Sequence, residues 1–447
     1  MGGSKGRGPR QTRPGQQKLA LGTWNVTLLG GKEPELVREV ECYQLDLVGL
    51  TSTQHFRELQ NPTRPTNPPS VIEAGLEYDR GSASISLREV TEVVKQLHSG
   101  KAQGIDEIHP EMLKALGDEG LSWLTCLSNI AWKSGTAPKE WRTGVVVHLF
   151  KKGDQRVCAN YRGITLLSLP GKVYSKVLER RVWLIVEPLI EEEQCGFCPG
   201  HGTTDQLFPL AGLLKGAWDY AHPVYMCFVD LENEYDRVVL REYGVRGSLL
   251  RAIQSLYFQS ESCVRILGCK SDSFPVGVGL RQGCALSPTL FVTFIDRISR
   301  RSHGGEGLQF GGLRIASLLF VDDVVLMASS ACDLQHSLDR FTAECQAAGM
   351  RISTSKSEAM VLSRKPVDCL LRVGSESLPQ VKEFKYLRVL FTSEGRMEQE
   401  IGRRIGAAGA VLQSLYRTVV TKRGLSQKAK LSIYQSIFVP TLTYGHE

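Results

Sequence analysis

The sequence points to an α+β fold in two or more domains, and three features predict it. The chain has 447 residues, 42% of them hydrophobic and 23% charged, which is enough apolar surface for a substantial core. Short apolar runs that read as strands are interleaved with helical patterns of unequal length. No βαβ rhythm and no internal repeat connects them, so a doubly wound sheet or a solenoid does not fit.

The elements follow in chain order. Residues 1–18 are rich in Gly, Pro, Gln and basic side chains and read as a disordered tail. Within 19–59, Thr23–Leu28 is strand-like, Glu35–Tyr43 has helical spacing and Leu45–Leu50 is a short apolar strand. The stretch "QNPTRPTNPPS" opens a Pro-rich linker over 60–84. Helices are then expected at Leu87–Leu97, Pro110–Leu116, Leu121–Ser134 and Lys172–Leu189, with a strand at Val145–Phe150. Val224–Leu231 reads as a strand, Leu249–Tyr257 as a helix, and Phe274–Val278 as a strand running into a loop and the helix Pro288–Ser299. Ser317–Ser329 reads as a hairpin, Ser337–Gly349 as a helix, and Glu398 to Val420 as a last long helix.

Composition limits the function classes. The net charge is +7, but Lys5, Arg7, Arg10, Arg13 and Lys18 supply five of those charges in the tail, leaving +2 for the rest. Bulk charge therefore says little about a partner, and local clusters must carry that argument. No run of about 18 apolar residues suggests a membrane span, and the N-terminus lacks the apolar core of a signal peptide. The 12 cysteines are scattered, as suits reduced thiols. Cys195 and Cys198 have CxxC spacing without a second ligand pair, so they read as unlinked thiols. Together these give the expectation of an intracellular protein, nuclear or cytoplasmic.

The chemistry centres on carboxylates. "SLLFVDDVVLMAS" sets Asp322 and Asp323 inside an apolar run. Adjacent buried acids are costly and repel one another. Alternation along a strand keeps them off a common face, unless a hairpin turn brings both to one site. A divalent cation would offset the cost, and oxygen-only ligands favour Mg²⁺ or Mn²⁺. "YMCFVDLENEYDRV" adds Asp230 at the end of another strand. Three such acids can hold two metals roughly 4 Å apart for an in-line phosphoryl displacement. Between them, "PVGVGLRQGCALSPTLF" offers Gly277, Gly279 and Gly283 for close backbone approach, Gln282 and Ser287 for hydrogen bonds, and Pro288 in a helix's first turn.

This order resembles the palm of reverse transcriptases from non-LTR (LINE-type) retrotransposons. "FVDLENEYDRV", "GLRQGCALSPTLF" and "FVDD" look like its three central motifs. Residues 149–182 and 192–208 resemble the fingers, 348–363 the motif after the catalytic hairpin, and 381–395 the primer grip. The resemblance covers about 70–447 and implies a right-hand polymerase. It would have fingers with an N-terminal extension at 85–222, an antiparallel palm at 223–375, and a primer grip and partial thumb at 376–447. It implies RNA-directed DNA synthesis with Mg²⁺ (or Mn²⁺), an RNA template, a DNA primer and deoxynucleoside triphosphates.

Residue by residue, the resemblance makes Asp230, Asp322 and Asp323 the metal-binding acids. Tyr235 would lie under the sugar and exclude a 2′-hydroxyl. Gln282 and Gly283 would pack beside the nucleotide. Arg162, with Lys151 and Arg156, would meet its phosphates, since Arg forks phosphate oxygens bidentately. Lys356 would protonate pyrophosphate. The alternatives are a core aromatic for Tyr235 and solvated surface for the basic residues. Separately, "GTWNV" resembles the opening of the endonuclease-exonuclease-phosphatase fold, with Asn25 at its metal-site Asn. Thr51 and Ser52 stand where a Glu is expected, so 19–59 reads as a remnant without nuclease activity.

The chain also departs from the polymerase pattern. Cys198 and His201 replace Arg residues, Glu234 adds a charge beside the catalytic strand, and the segment after Asp230 is short. Arg388 occupies a Gly position that calls for positive φ, and the thumb is partial. Three outcomes are compatible with these departures: a working polymerase, a decayed one that binds nucleic acid without turnover, and a non-enzymatic protein on a palm-like scaffold, against which the three retained acids argue.

Overall fold

A computed structural model describes residues 21–25, 47–51, 83–232, 239–266, 269–276, 281, 283–310, 313–422 and 424–445. The basic tail, the helix expected at 35–43, Ser52, residues 60–82 of the linker, Glu234, Tyr235, Gly277, Gly279 and Gln282 lie outside them. The chain divides into two compact units: Pro69–Met397, and Met1–Pro68 together with Glu398–Glu447. In the latter, β1 (Leu21–Asn25) and β2 (Leu47–Thr51) form a parallel pair. The last long helix is α-helical over Glu398–Leu415 and passes into a π-helical turn at Tyr416–Val420.

The larger unit starts with α1 (Leu87–Lys95), whose Ser86–Glu89 capping box satisfies the first free amides. Its Val90, Val93 and Val94 turn inward. Two more helices follow, α2 (Pro110–Lys114) and α3 (Asp118–Ser134). Strands β3 (Thr143–Phe150) and β4 (Tyr161–Leu167) then make an antiparallel hairpin. Helix α4 (Leu169–Val186) is the central spar of the core, burying Val173, Tyr174, Val177, Leu178, Val182 and Val186. Each such aliphatic side chain contributes about 1.5–3 kcal/mol by leaving water. The helix ends earlier than its pattern suggested because Pro188 lacks an amide and a 3₁₀ turn takes over at Glu187–Leu189.

Helix α5 (Thr204–Asp219) leads into β5 (Val224–Val229), and α6 (Gly247–Tyr257) into β6 (Ser260–Ile266), which pairs parallel to β3. Helix α7 (Leu286–Ser302) precedes the hairpin of β7 (Ser317–Phe320) and β8 (Asp323–Ala328). Helix α8 (Ala331–Ala347) and β9 (Glu358–Leu362) complete the central layer. The central sheet has the order β7-β8-β5-β9, every neighbour antiparallel. Helices α4, α7 and α8 supply core residues with it. A further hairpin, β10 (Glu383–Tyr386) and β11 (Val389–Thr392), stacks Phe384 on Phe228 of β5 at 3.6 Å between ring centroids. Among the described residues, no helix is long and apolar enough to cross a membrane.

Candidate active site

The paired acids sit where the hairpin reverses. Leu318, Leu319, Val324, Val325, Leu326 and Met327 are all buried, so the two arms are locked in the sheet. Phe320 pairs with Asp323, which leaves Val321 and Asp322 as a two-residue turn. Val321 has φ 60°, a left-handed conformation costly for a β-branched residue. The turn frees Asp322 from the strand's alternation and lets both acids leave the sheet at one end.

Its conformation is held from the side. Cys195 N–H donates to Leu319 O (3.1 Å), and Leu319 N–H donates to Glu193 O (3.0 Å). The buried Gln206 side chain donates to both carbonyls, at 2.7 Å to Glu193 and 3.2 Å to Leu319. A Cβ on Gly196 would fall 2.2 Å from Val321 N, so only glycine lets this segment press on the turn.

Asp230 arrives from β5. Val229 is opposite Val324, the last rung of the ladder, so Asp230 follows directly where β5 ends beside the start of β8. Antiparallel rungs bring Cα atoms about 4.5–5.5 Å apart. The strand expected to run through Leu231 is interrupted at Asp230, because a turn at residues 353–357 intrudes on the neighbouring side. Asp230 N–H donates to Ser357 Oγ (3.0 Å), while Ser353 N–H donates to the Asp230 carbonyl (2.9 Å). Ser357 is fully buried. The turn closes on itself through Ser357 N–H to Ser353 O (2.9 Å) and carries Lys356, whose Nζ lies 3.2 Å from Asp230 Oδ2. Both ends of that ion pair are exposed, 60% and 44%, so it is weak and easily exchanged.

Electrostatics tie the three acids together. Asp323 keeps one face in solvent, yet its carboxyl is pushed up to about 6, first by burial, then by the charges of Asp322 and Asp230. A cation at this edge would relieve that repulsion, and the donors are all oxygen, as hard divalent ions require. Among the described residues, no group of three or more His, Cys, Asp or Glu already stands in position to hold a metal ion. The acids are neighbours but not a finished cage, and Lys356 occupies one of them.

The other expected site residues fall in two places. Lys151, Arg156 and Arg162 gather at the far end of the β3–β4 hairpin, where Arg162 faces Leu149 in register. All three are exposed. Gly283 lies at the start of the α7 segment with φ 111°, and a Cβ there would meet Thr165 O of β4 at 2.6 Å. Ser287 is buried and donates to Arg281 O (2.8 Å) rather than facing a ligand. Arg281, next to the unplaced Gln282, is a residue the sequence reading passed over. It is buried and donates to the carbonyls of Trp141 (3.0 Å) and Arg142, which anchors the Gly283 loop to the start of β3.

The profile of the reverse transcriptase (RNA-dependent DNA polymerase) family matches residues 150–391. The chain belongs to the reverse transcriptase family. It is similar to a probable RNA-directed DNA polymerase from transposon X-element of Drosophila melanogaster, 25% identical over 98% of this chain and 48% of that one. It is 26% identical to the RNA-directed DNA polymerase from mobile element jockey of Drosophila funebris, over 81% of this chain and 41% of the relative. A 149 kDa protein of transposon TX1 from Xenopus laevis is 27% identical over 71% of this chain and 25% of its own. The chain thus spans half or less of the length of these curated relatives. Among solved structures, apo telomerase from Candida tropicalis, truncated from its C-terminal domain, is similar over 61% of this chain and 59% of that one, with 13% identity and a TM-score of 0.41.

Two departures from the reverse transcriptase pattern have a visible local form. Cys198 donates its thiol to Gln194 O (3.4 Å), and burial raises it to about 12. It therefore supplies a neutral group where the pattern has a cation. Leu387 and Arg388 form the two-residue turn between β10 and β11 with φ 44° and 68°. Both lie in the left-handed region, where a type I′ turn favours Asn-Gly. The positive φ expected at position 388 is present, and an arginine bears it.

Proposed function

We propose that this reverse transcriptase chain extends a DNA primer on an RNA template, adding deoxynucleotides at the edge of the β5–β7–β8 sheet. The observation that carries this reading is the convergence of Asp230, Asp322 and Asp323 from two strand ends and one turn. In this reading the primer 3′-oxygen attacks the α-phosphorus of the nucleotide. The bond to the bridging α–β oxygen breaks and pyrophosphate leaves.

Asp230, Asp322 and Asp323 would hold Mg²⁺, or Mn²⁺ in its place, once Lys356 releases Asp230. Such ions, when bound, activate the attacking oxygen and neutralise charge on the leaving phosphate. Lys356, its exposed Nζ beside the acids, would then donate a proton to pyrophosphate. Arg162, Lys151 and Arg156 would draw in the triphosphate from the hairpin tip. Tyr235 would exclude a 2′-hydroxyl, and Gln282 and Gly283 would pack beside the incoming nucleotide.

Primer extension on an RNA template with Mg²⁺ tests this directly. The wild-type chain is expected to extend the primer, and Asp322→Asn to lose extension while still binding RNA. Binding without extension by a folded wild-type chain would favour the decayed reading.

A further inference from the structure

A fourth carboxylate lies in the core, away from the three at the sheet edge. Asp296 of α7 is fully buried. It stands about 15 Å along the helix axis from the first residue, Leu286. Its Oδ1 accepts the Glu191 N–H (2.8 Å). Its Oδ2 accepts the Tyr243 hydroxyl (2.5 Å) and pairs with Arg300 Nε (3.0 Å). The Arg300 guanidinium in turn lies over the Tyr243 ring, 5.4 Å from its centroid. Burial raises the Asp296 carboxyl, with Tyr243, the Glu191 amide and Arg300 opposing and Glu193 adding to the effect.

A buried carboxylate with this many partners fixes one arrangement of the segments that meet at it. Glu191 opens the stretch that presses on the acid-bearing turn. Gln194 N–H closes back on Glu191 O (3.1 Å), Glu193 O and Cys195 N–H both grip Leu319, and Gly196 lies against Val321. Tyr243 closes the segment that follows the 3₁₀ turn Val239–Arg241, downstream of Asp230. Helix α7 itself starts just after Gly283, on the nucleotide side of the site. Asp296 thus joins three segments, each of which leads to a part of the site. An apolar residue would fill the same point without holding the Glu191 amide, and burying a charge there is the costlier choice.

We propose that Asp296 is a positioning residue for the acid-bearing turn. By holding the Glu191 amide it sets the stretch 191–196 against the backbone of Leu319 and Val321, and so fixes where Asp322 and Asp323 stand relative to α7. It touches no substrate atom and acts only through the turn. Its effect on turnover rests on the polymerase reading, whereas the restraint on the turn is measurable without turnover.

Hydrogen–deuterium exchange of the full chain, without metal or nucleic acid, reads that restraint. Asp296→Ala removes both acceptor oxygens. Peptides covering 191–196 and 317–322 are expected to exchange about 10-fold faster, the scale of one lost hydrogen bond to a charged group, while 358–362 in β9 keeps its wild-type rate. Tyr243→Phe leaves the carboxylate and its bond to Glu191 in place. It is expected to speed exchange over 239–245 and leave 317–322 at the wild-type rate. Steady-state primer extension adds a second readout. In Asp296→Ala, kcat is expected to fall about 10-fold with the nucleotide KM unchanged. That is less than the roughly 10²-fold of a 1 Å misplacement, because Gln206 still holds Glu193.

Asp296→Asn guards against an alanine variant that fails to fold, since it keeps the volume and one acceptor oxygen. Its exchange rate over 317–322 and its kcat are expected to hold or change together, according to which way the amide faces. One moving without the other would overturn the assignment. So would wild-type exchange over 317–322 in Asp296→Ala, a loss of protection shared equally by 358–362, or a Tyr243→Phe variant that matches Asp296→Ala. A wild-type chain that never extends a primer would sink the polymerase reading, and the exchange rates alone would then decide whether Asp296 holds the turn.

Discussion

Removing the Ser357 hydroxyl should loosen Asp230 without touching a catalytic atom. Ser357 is fully buried, and its Oγ accepts the Asp230 N–H at 3.0 Å in the gap where β5 has no strand partner. Ser357→Ala strips that part-buried amide of its acceptor. An orphaned buried donor costs about 1–3 kcal/mol, so unfolding in urea should show a loss of that size. Freed of one clasp, Asp230 can drift relative to Asp323, and a misplacement of about 1 Å costs on the order of 10²-fold in rate. Ser357→Thr keeps the oxygen but adds a methyl to a filled site, at about 1–3 kcal/mol. Threonine should therefore restore turnover per folded molecule without restoring stability. Single-turnover primer extension, normalised to folded protein, separates the two effects. Wild-type stability and wild-type turnover in Ser357→Ala would refute the clasp.

Other consequences follow from local geometry. Gly196→Ala would set a Cβ against the Val321 backbone, and kcat is expected to fall on the order of 10²-fold with KM little changed, by steady-state kinetics. Arg388→Gly removes a left-handed L-residue cost of about 1–2 kcal/mol while adding about 0.5–1 kcal/mol of glycine entropy. A net gain of about 0.5–1 kcal/mol should appear as a raised urea midpoint. Glu191, 23% exposed, is raised to about 7, first by burial, then by Asp296 and Glu193, with Arg300 opposing. An acid raised on folding contributes stability below its unfolded pKa and loses it as pH rises through about 7. Glu191→Gln should therefore match wild type near pH 4 and exceed it at pH 8, by as much as about 3 kcal/mol. Equal curves at both pH values would contradict this.

The sequence made some of this legible and hid the rest for physical reasons. Helices with strong periodicity, such as Leu87–Lys95 and Leu286–Ser302, stand near their expected bounds because their apolar faces alone define them. The hairpin at Ser317–Ala328 was readable because two apolar arms flank a pair of acids. Strand β6, "SESCVRI", was not, since its place comes from parallel pairing with a distant segment, Thr143 to Glu261 in register. Helix α5 carries Pro209, Gly212 and Gly216, residues that weaken a local helix signal. In the candidate site, the acids announced themselves by being costly. The clasp at Ser353 and Ser357 did not, because a serine hydroxyl that holds an amide 127 residues away leaves no local pattern. The four-residue spacing of these serines around Lys356 was the one available signal.

Metal binding by the three carboxylates is the most direct measurement. Mn²⁺ binding would be counted by electron paramagnetic resonance, with an RNA template, a dideoxy-terminated primer and the next deoxynucleotide present. The wild-type chain is expected to take up two Mn²⁺. The Asp230→Asn, Asp322→Asn, Asp323→Asn triple variant should take up none while still binding the RNA. Equal Mn²⁺ uptake by the triple variant would show that the metals lie elsewhere, and the proposed active site would be wrong.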